Sequence, residues 1–145
     1  HRTLADAEAV SRELTRQLEL IERPLIGVSA LAAGADQIFA DAVLAAGGVL
    51  EVIVPGADYR ASLPEEARAA FDRAMDAATE VTVLDHPHVG SGAYLDAGLV
   101  LLDRCDVLFA VWDGRPSRGS GGTADMVERA RVRGVPVVVI PTERG

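Results

Sequence analysis

The chain has 145 residues and a mass of 15.2 kDa, which is the size of one domain and enough to bury roughly two-thirds of the unfolded surface without a disulfide or metal staple. Its 22 acidic residues outnumber 14 basic ones, for a net charge of −8, which disfavours generic nucleic-acid or anionic-membrane binding because both need a basic surface. Every one of those basic residues is Arg and Lys is absent, so a P-loop lysine, a Schiff-base lysine and pyridoxal chemistry are excluded.

In chain order, Leu4, Ala7, Val10, Leu14, Leu18 and Ile21 recur at helical steps. Thr3 with Asp6 reads as a capping box, and Pro24 stops the helix. Strands are expected over 25–30 and 49–54, with a helix over 36–46 between them. Ser62 and Glu65 read as a second capping box, opening a helix over 64–78, and a short strand follows over 81–84. Residues 94–104 are apolar on most sides and are expected to form a buried helix, in a monomeric core or a homodimer interface. Residues 107–112 carry no charge and are expected to lie centrally in a sheet. A helix over 123–133 and a strand over 135–140 complete the pattern. Strands alternating with helices predict an α/β fold, doubly wound, with a mostly parallel sheet between helices on both faces in a three-layer sandwich. The chain opens on a helix with no strand ahead of it, so a first strand is expected just before His1.

Cys105 is the single cysteine, so no internal disulfide forms and the chain reads as cytoplasmic. No apolar run approaches the roughly 18 residues of a membrane span, and no signal peptide is visible. The 24 alanines and the Arg-for-Lys bias suggest a GC-rich, bacterial genome. No cofactor is implied.

Ligands of open parallel sheets bind beyond the carboxyl ends of the strands, so the strand-to-helix loops carry the candidates. In the loop over 113–123, Gly119, Gly121 and Gly122 let backbone N–H groups approach a ligand, and a helix opens at Thr123. Arg115 and Arg118 add charge. A Gly-rich, basic helix start in an acidic protein suggests a phosphate site; a flexible surface loop is the plainer alternative. In the loop over 31–35, Ser29 sits at the strand end, Gly34 allows the turn, and Asp36 either accepts from a ribose hydroxyl or only complements the helix dipole. If the ligand carries a base, Tyr59 or Trp112 would flank it; Trp112 reads equally as a cap on the core. Asp85, His86 and His88 form a weak metal pattern outweighed by a solvated loop, and no metal site is expected. Cys105 reads as core packing.

The runs Gly34-Ala35-Asp36, Ala40-Asp41-Ala42, Ala45-Ala46-Gly47-Gly48 and Val52-Ile53-Val54-Pro55-Gly56 resemble the SLOG superfamily, which includes the DNA-processing protein A family and the Lonely Guy phosphoribohydrolases. The later run from Asp106 to Gly114, followed by Gly119-Ser120-Gly121-Gly122-Thr123, looks like that superfamily's glycine loop, and His1-Arg2 looks like the tail of its first strand–loop motif. The resemblance covers nearly the whole chain. It implies a Rossmann-like domain binding a nucleotide or nucleotide-derived small molecule, with contacts from Arg2, Ser29, Gly34, Asp36, Asp113, Gly114, Gly121, Gly122 and Thr123. The Lonely Guy enzymes place two carboxylates shortly after their Gly-Thr; the matching positions here are Asp125 and Met126. Glu128 points roughly 160° away from Thr123 on a helix. Two expectations result: a binding or sensor module, or an N-glycosidase of nucleoside monophosphates with Asp125 as its carboxylate.

Overall fold

A computed structural model describes residues 6–116 and 121–142. The elements are α1 (Ala7–Glu19), β1 (Ile26–Ser29), α2 (Ala35–Ala45), β2 (Val49–Val54), α3 (Tyr59–Ser62), α4 (Glu65–Ala77), β3 (Glu80–Val83), α5 (Ser91–Arg104), β4 (Leu108–Trp112), α6 (Thr123–Arg133) and β5 (Val137–Pro141). Among the described residues every strand pairing is parallel, which requires the helical crossovers that the sequence supplies. The strands form two ladders, β1-β2-β3 and β4-β5.

The α/β architecture is three-layered and Rossmann-like. On one face, Leu50, Val52 and Val54 of β2 pack with Ala40 of α2 and with Phe71 and Ala74 of α4. On the same face Val10, Leu14 and Leu18 of α1 meet Val43 of α2 and Ile140 of β5. On the other face Leu108 and Ala110 of β4 pack with Leu102 of α5 and with Val127 and Ala130 of α6. Spacing of four places the three buried α1 side chains on one stripe, and full burial of each leucine contributes about 1.5–3 kcal/mol.

Four local expectations are revised. Thr3 lies outside the described residues, and Asp6 sits at the N-cap of α1 without a side-chain bond to that helix. Its Oδ1 instead accepts from Thr142 Oγ1 at 2.7 Å, tying the start of α1 to the end of β5. The Ser62–Glu65 box does not form. Leu63 precedes Pro64 and is held extended at ψ 148, so Ser62 closes the short α3, donating to Tyr59 O at 2.6 Å. α5 buries only Ala93, Ala97 and Leu102, because its middle turns lie over a cavity rather than over a strand. Among the described residues β4 is paired on one edge alone, with β5. No helix among the described residues is long and apolar enough to cross a membrane.

Candidate functional site

The first wall of the site is the loop after β1. Ser29 is buried at the strand end, and its Oγ accepts from Leu31 N–H at 3.0 Å. That bond holds Leu31, fully buried, at φ 60, a left-handed conformation rare for a branched side chain and a local store of strain. Gln37 Nε2 braces the turn by donating to Leu31 O at 3.3 Å and to Ala67 O at 3.1 Å. Gly34, at φ 90, lets the chain enter α2. Asp36 then lies in the first turn of α2, and its Oδ2 accepts from Ala32 N–H at 3.1 Å.

Protein encloses the Asp36 carboxyl, and this desolvation raises its pKa above the ordinary carboxylate value, against the opposing Ala32 hydrogen bond. Tyr59 stands beside it, almost fully buried, with its ring edge-on to Phe71 at 5.9 Å and to Tyr94 at 6.4 Å. Burial first, then Asp36 and Tyr94, push the Tyr59 phenol well above its usual value, so it stays neutral.

The opposite wall is the start of α6. Gly122 is the N-cap residue and supplies no side-chain cap, so the first N–H groups of α6 take none of their partners from a capping side chain. Gly121 has φ +83, and a Cβ there would lie 3.1 Å from Leu95 N; only glycine lets this loop rest against the first turn of α5.

These walls enclose the carboxyl end of a cavity of about 670 Å³, lined there by Ser29, Asp36, Tyr59, Tyr94, Gly121, Thr123 and Met126. Five of the sequence candidates thus converge: Ser29, Asp36, Tyr59, Gly121 and Thr123. Gly34 and Gly122 shape the two loops from behind. Asp113 is spent locally, its Oδ1 accepting from Arg115 N–H at 2.9 Å and its Oδ2 lying 3.8 Å from Arg115 Nε. Gly114 and Trp112 line a separate hollow on the outer side of α6, where the Trp112 indole donates to Arg115 O at 2.9 Å. Arg2, Arg118 and Gly119 lie outside the described residues.

Asp125 is held away from this chamber. Its Oδ2 accepts from Gly121 N–H at 2.8 Å and the carboxylate pairs with Arg129 Nε at 3.1 Å. These contacts, the Gly121 hydrogen bond foremost, hold it below the usual carboxylate range. A carboxylate with both oxygens engaged in this way is a loop clasp.

His86 Nε2 meets Asp96 Oδ2 at 2.7 Å while His88 Nδ1 lies 3.4 Å from Asp58 Oδ2, so the two imidazoles turn to different partners. Among the described residues no group of three His, Cys, Asp or Glu could hold a metal ion. Cys105 is half-buried, and burial raises its thiol pKa, in keeping with a packing role.

Sequence reading missed Tyr94 and Met126 as lining residues. Tyr94 carried a signal, since it opens the helix after β3 and so sits at the same carboxyl edge as Tyr59. Met126 follows Gly122 by one helical turn, and its Sδ would lie 2.6 Å from a Cβ at Gly98, which shows how tightly α6 and α5 close the floor.

Asp36 makes stability depend on pH. The native state keeps its proton over a range where the unfolded chain has released it, so stability falls as pH rises above the ordinary carboxyl pKa of 3.8. Asp36→Asn is expected to lose that slope. Urea midpoints from about pH 4 to about pH 7 should shift in favour of the variant as pH rises; parallel curves would show that Asp36 is ionised throughout.

No protein-family model and no curated protein matches this chain.

Proposed function

We propose that this chain binds a nucleotide or nucleotide-derived small molecule at the carboxyl end of its cavity, as a sensor or binding module of SLOG type. The observation that carries the reading is the convergence of Ser29, Asp36 and Tyr59 with Gly121 and Thr123 in one chamber. The two halves of the chamber come from different loops and offer complementary chemistry. The α6 start offers backbone N–H groups and the partial positive charge of a helix N-terminus to a phosphate. Asp36 offers an acceptor for a ribose hydroxyl inside a low-dielectric pocket. The rings of Tyr59 and Tyr94 offer apolar area to a base. With no Lys in the chain, amides and Arg must hold the phosphate.

The clasped state of Asp125 supports binding over glycosidic-bond cleavage. Catalysis at a ribose needs a carboxylate aimed at the anomeric carbon, and both oxygens of Asp125 are turned to Gly121 and Arg129.

Thermal unfolding with AMP, ADP, cyclic AMP and inorganic phosphate tests the reading, beside an assay for free adenine. Ligand at about 100 times its Kd should add about 2.7 kcal/mol of stability, with no adenine released. The absence of any shift at millimolar nucleotide would overturn the binding site. Adenine release abolished by Asp125→Ala would overturn the binding-only role.

A further inference from the structure

The outer side of α6 carries chemistry that the ligand chamber does not use. A hollow of about 570 Å³ lies there, and its lining includes Trp112, Ala124, Val127, Glu128, Arg131 and Val132. At about 100° per residue, Ala124, Glu128 and Arg131 fall within about 60° of one another and form one stripe along the helix. Apolar side chains stand in solvent beside it. Val132 is 83% exposed, the most exposed of the large hydrophobic residues described. Val139 is also exposed; it pairs in register with Ala110, whose side chain packs against α6, so it emerges on the same face of the sheet. Apolar side chains clustered within a charged rim mark a contact surface. The charges of α6 sort the same way. Asp125 pairs with Arg129 at 3.1 Å and Arg133 with Asp103 at 3.2 Å. Glu128 and Arg131 make no hydrogen bond or ion pair among the described residues, and they are the two charged residues that line the hollow.

We infer that this face is the contact of a two-fold homodimer, with α6 packed antiparallel against α6 of a second copy. A two-fold contact must complement itself, because the same patch serves on both sides. Antiparallel helices with position 128 opposite position 131 meet that condition twice over. Glu128 of each copy meets the partner's Arg131, and Val132 of each copy enters the hollow beside the partner's Val127. The register with 128 opposite 128 sets like charges together and is disfavoured. Charge also selects the occupant. The chain carries a net charge of −8, so two copies repel over most of their surface. The α6 stripe instead holds one acid and one base, each without a partner in its own chain, so two copies approach there without that penalty. The same balance gives no purchase to a strongly charged partner. This surface differs from residues 94–104, for which the sequence left a homodimer interface open. It uses none of the residues that line the ligand chamber, so it stands independently of the ligand.

Sedimentation of the 145-residue chain, without ligand, from about 1 μM to about 1 mM tests the inference. The parent is expected to pass from monomer to dimer across that range. Glu128→Arg and Arg131→Glu each create two like-charge pairs in the contact, and each is expected to raise Kd at least ~30-fold. Their equimolar mixture is expected to dimerise again, because every pair across the mixed contact is opposite in charge. The double variant Glu128→Arg/Arg131→Glu is expected to return to within about 3-fold of the parent Kd. Recovery in the mixture and in the double variant separates a lost contact from a lost fold. A parent that stays monomeric throughout would overturn the inference, as would a dimer whose Kd neither single reversal changes. So would a parent dimer that the single reversals dissociate and their mixture fails to restore, since position 128 would then not face position 131.

Discussion

Gly121→Ala is expected to destabilise the fold by about 2–3 kcal/mol and to weaken AMP binding at least ~10-fold, whereas Gly114→Ala costs about 1 kcal/mol. The two glycines share a backbone conformation, φ +83 and φ +84, so each alanine incurs the same left-handed strain. They differ in what a Cβ would meet. At Gly114 nothing lies within 4 Å, while at Gly121 the Leu95 N lies at 3.1 Å and the Tyr94 carbonyl carbon at 3.3 Å. Those are backbone atoms of the first turn of α5, which cannot rotate aside as a side chain would. The loop must lift, and with it go the Gly121–Asp125 clasp and the N-terminal amides of α6. Gly134→Ala, at φ +77 with open space around it, serves as a second strain-only control. Urea midpoints of the three variants separate the two effects; equal losses at Gly114 and Gly121 would show that the close approach to α5 carries no weight.

The contrast between these glycines also marks what a sequence can and cannot disclose. The glycine-rich loop and its helix were legible from composition and period alone: α6 spans Thr123–Arg133, as expected from Thr123 and Gly134 at its ends. So was β2, at Val49–Val54, because an apolar run bounded by glycines and a proline admits little else. Which glycine touches another element was not legible, since Leu95 and Gly121 meet only through the fold. The same holds for Asp125. Its place after Gly-Thr suggested chemistry, and its hydrogen bonds show a clasp. The charge-free run over 107–112 suggested a central strand, but among the described residues β4 pairs on one edge only, with β5. The revised start of α4 was legible in principle, for Pro64 dictates an extended Leu63 whatever Ser62 and Glu65 prefer.

Tyr59→Ala is expected to cost about 3–5 kcal/mol, the range for emptying a buried aromatic site, a large share of the roughly 5–15 kcal/mol that holds such a domain together. Tyr59 is only 2% exposed and locks the short α3 between Phe71 and Tyr94, so its loss removes packing from α4 and α5 together. Stability alone would not link this residue to the ligand, and two companions make the distinction. Phe71→Ala empties the neighbouring site in the same cluster and should cost a similar 3–5 kcal/mol, yet Phe71 does not line the chamber. Tyr59→Phe keeps the ring and removes a hydroxyl that stays neutral under working conditions, for a change of about 1 kcal/mol or less. If the ring faces a base, AMP titrations at low temperature, where all three variants are folded, should rank Tyr59→Phe near the parent, Phe71→Ala within about 3-fold of it, and Tyr59→Ala at least ~10-fold weaker, since a lost aromatic stacking partner removes about 1–3 kcal/mol. Equal affinity in the two alanine variants would move the base away from Tyr59 while leaving the amides of α6 as the seat of the phosphate.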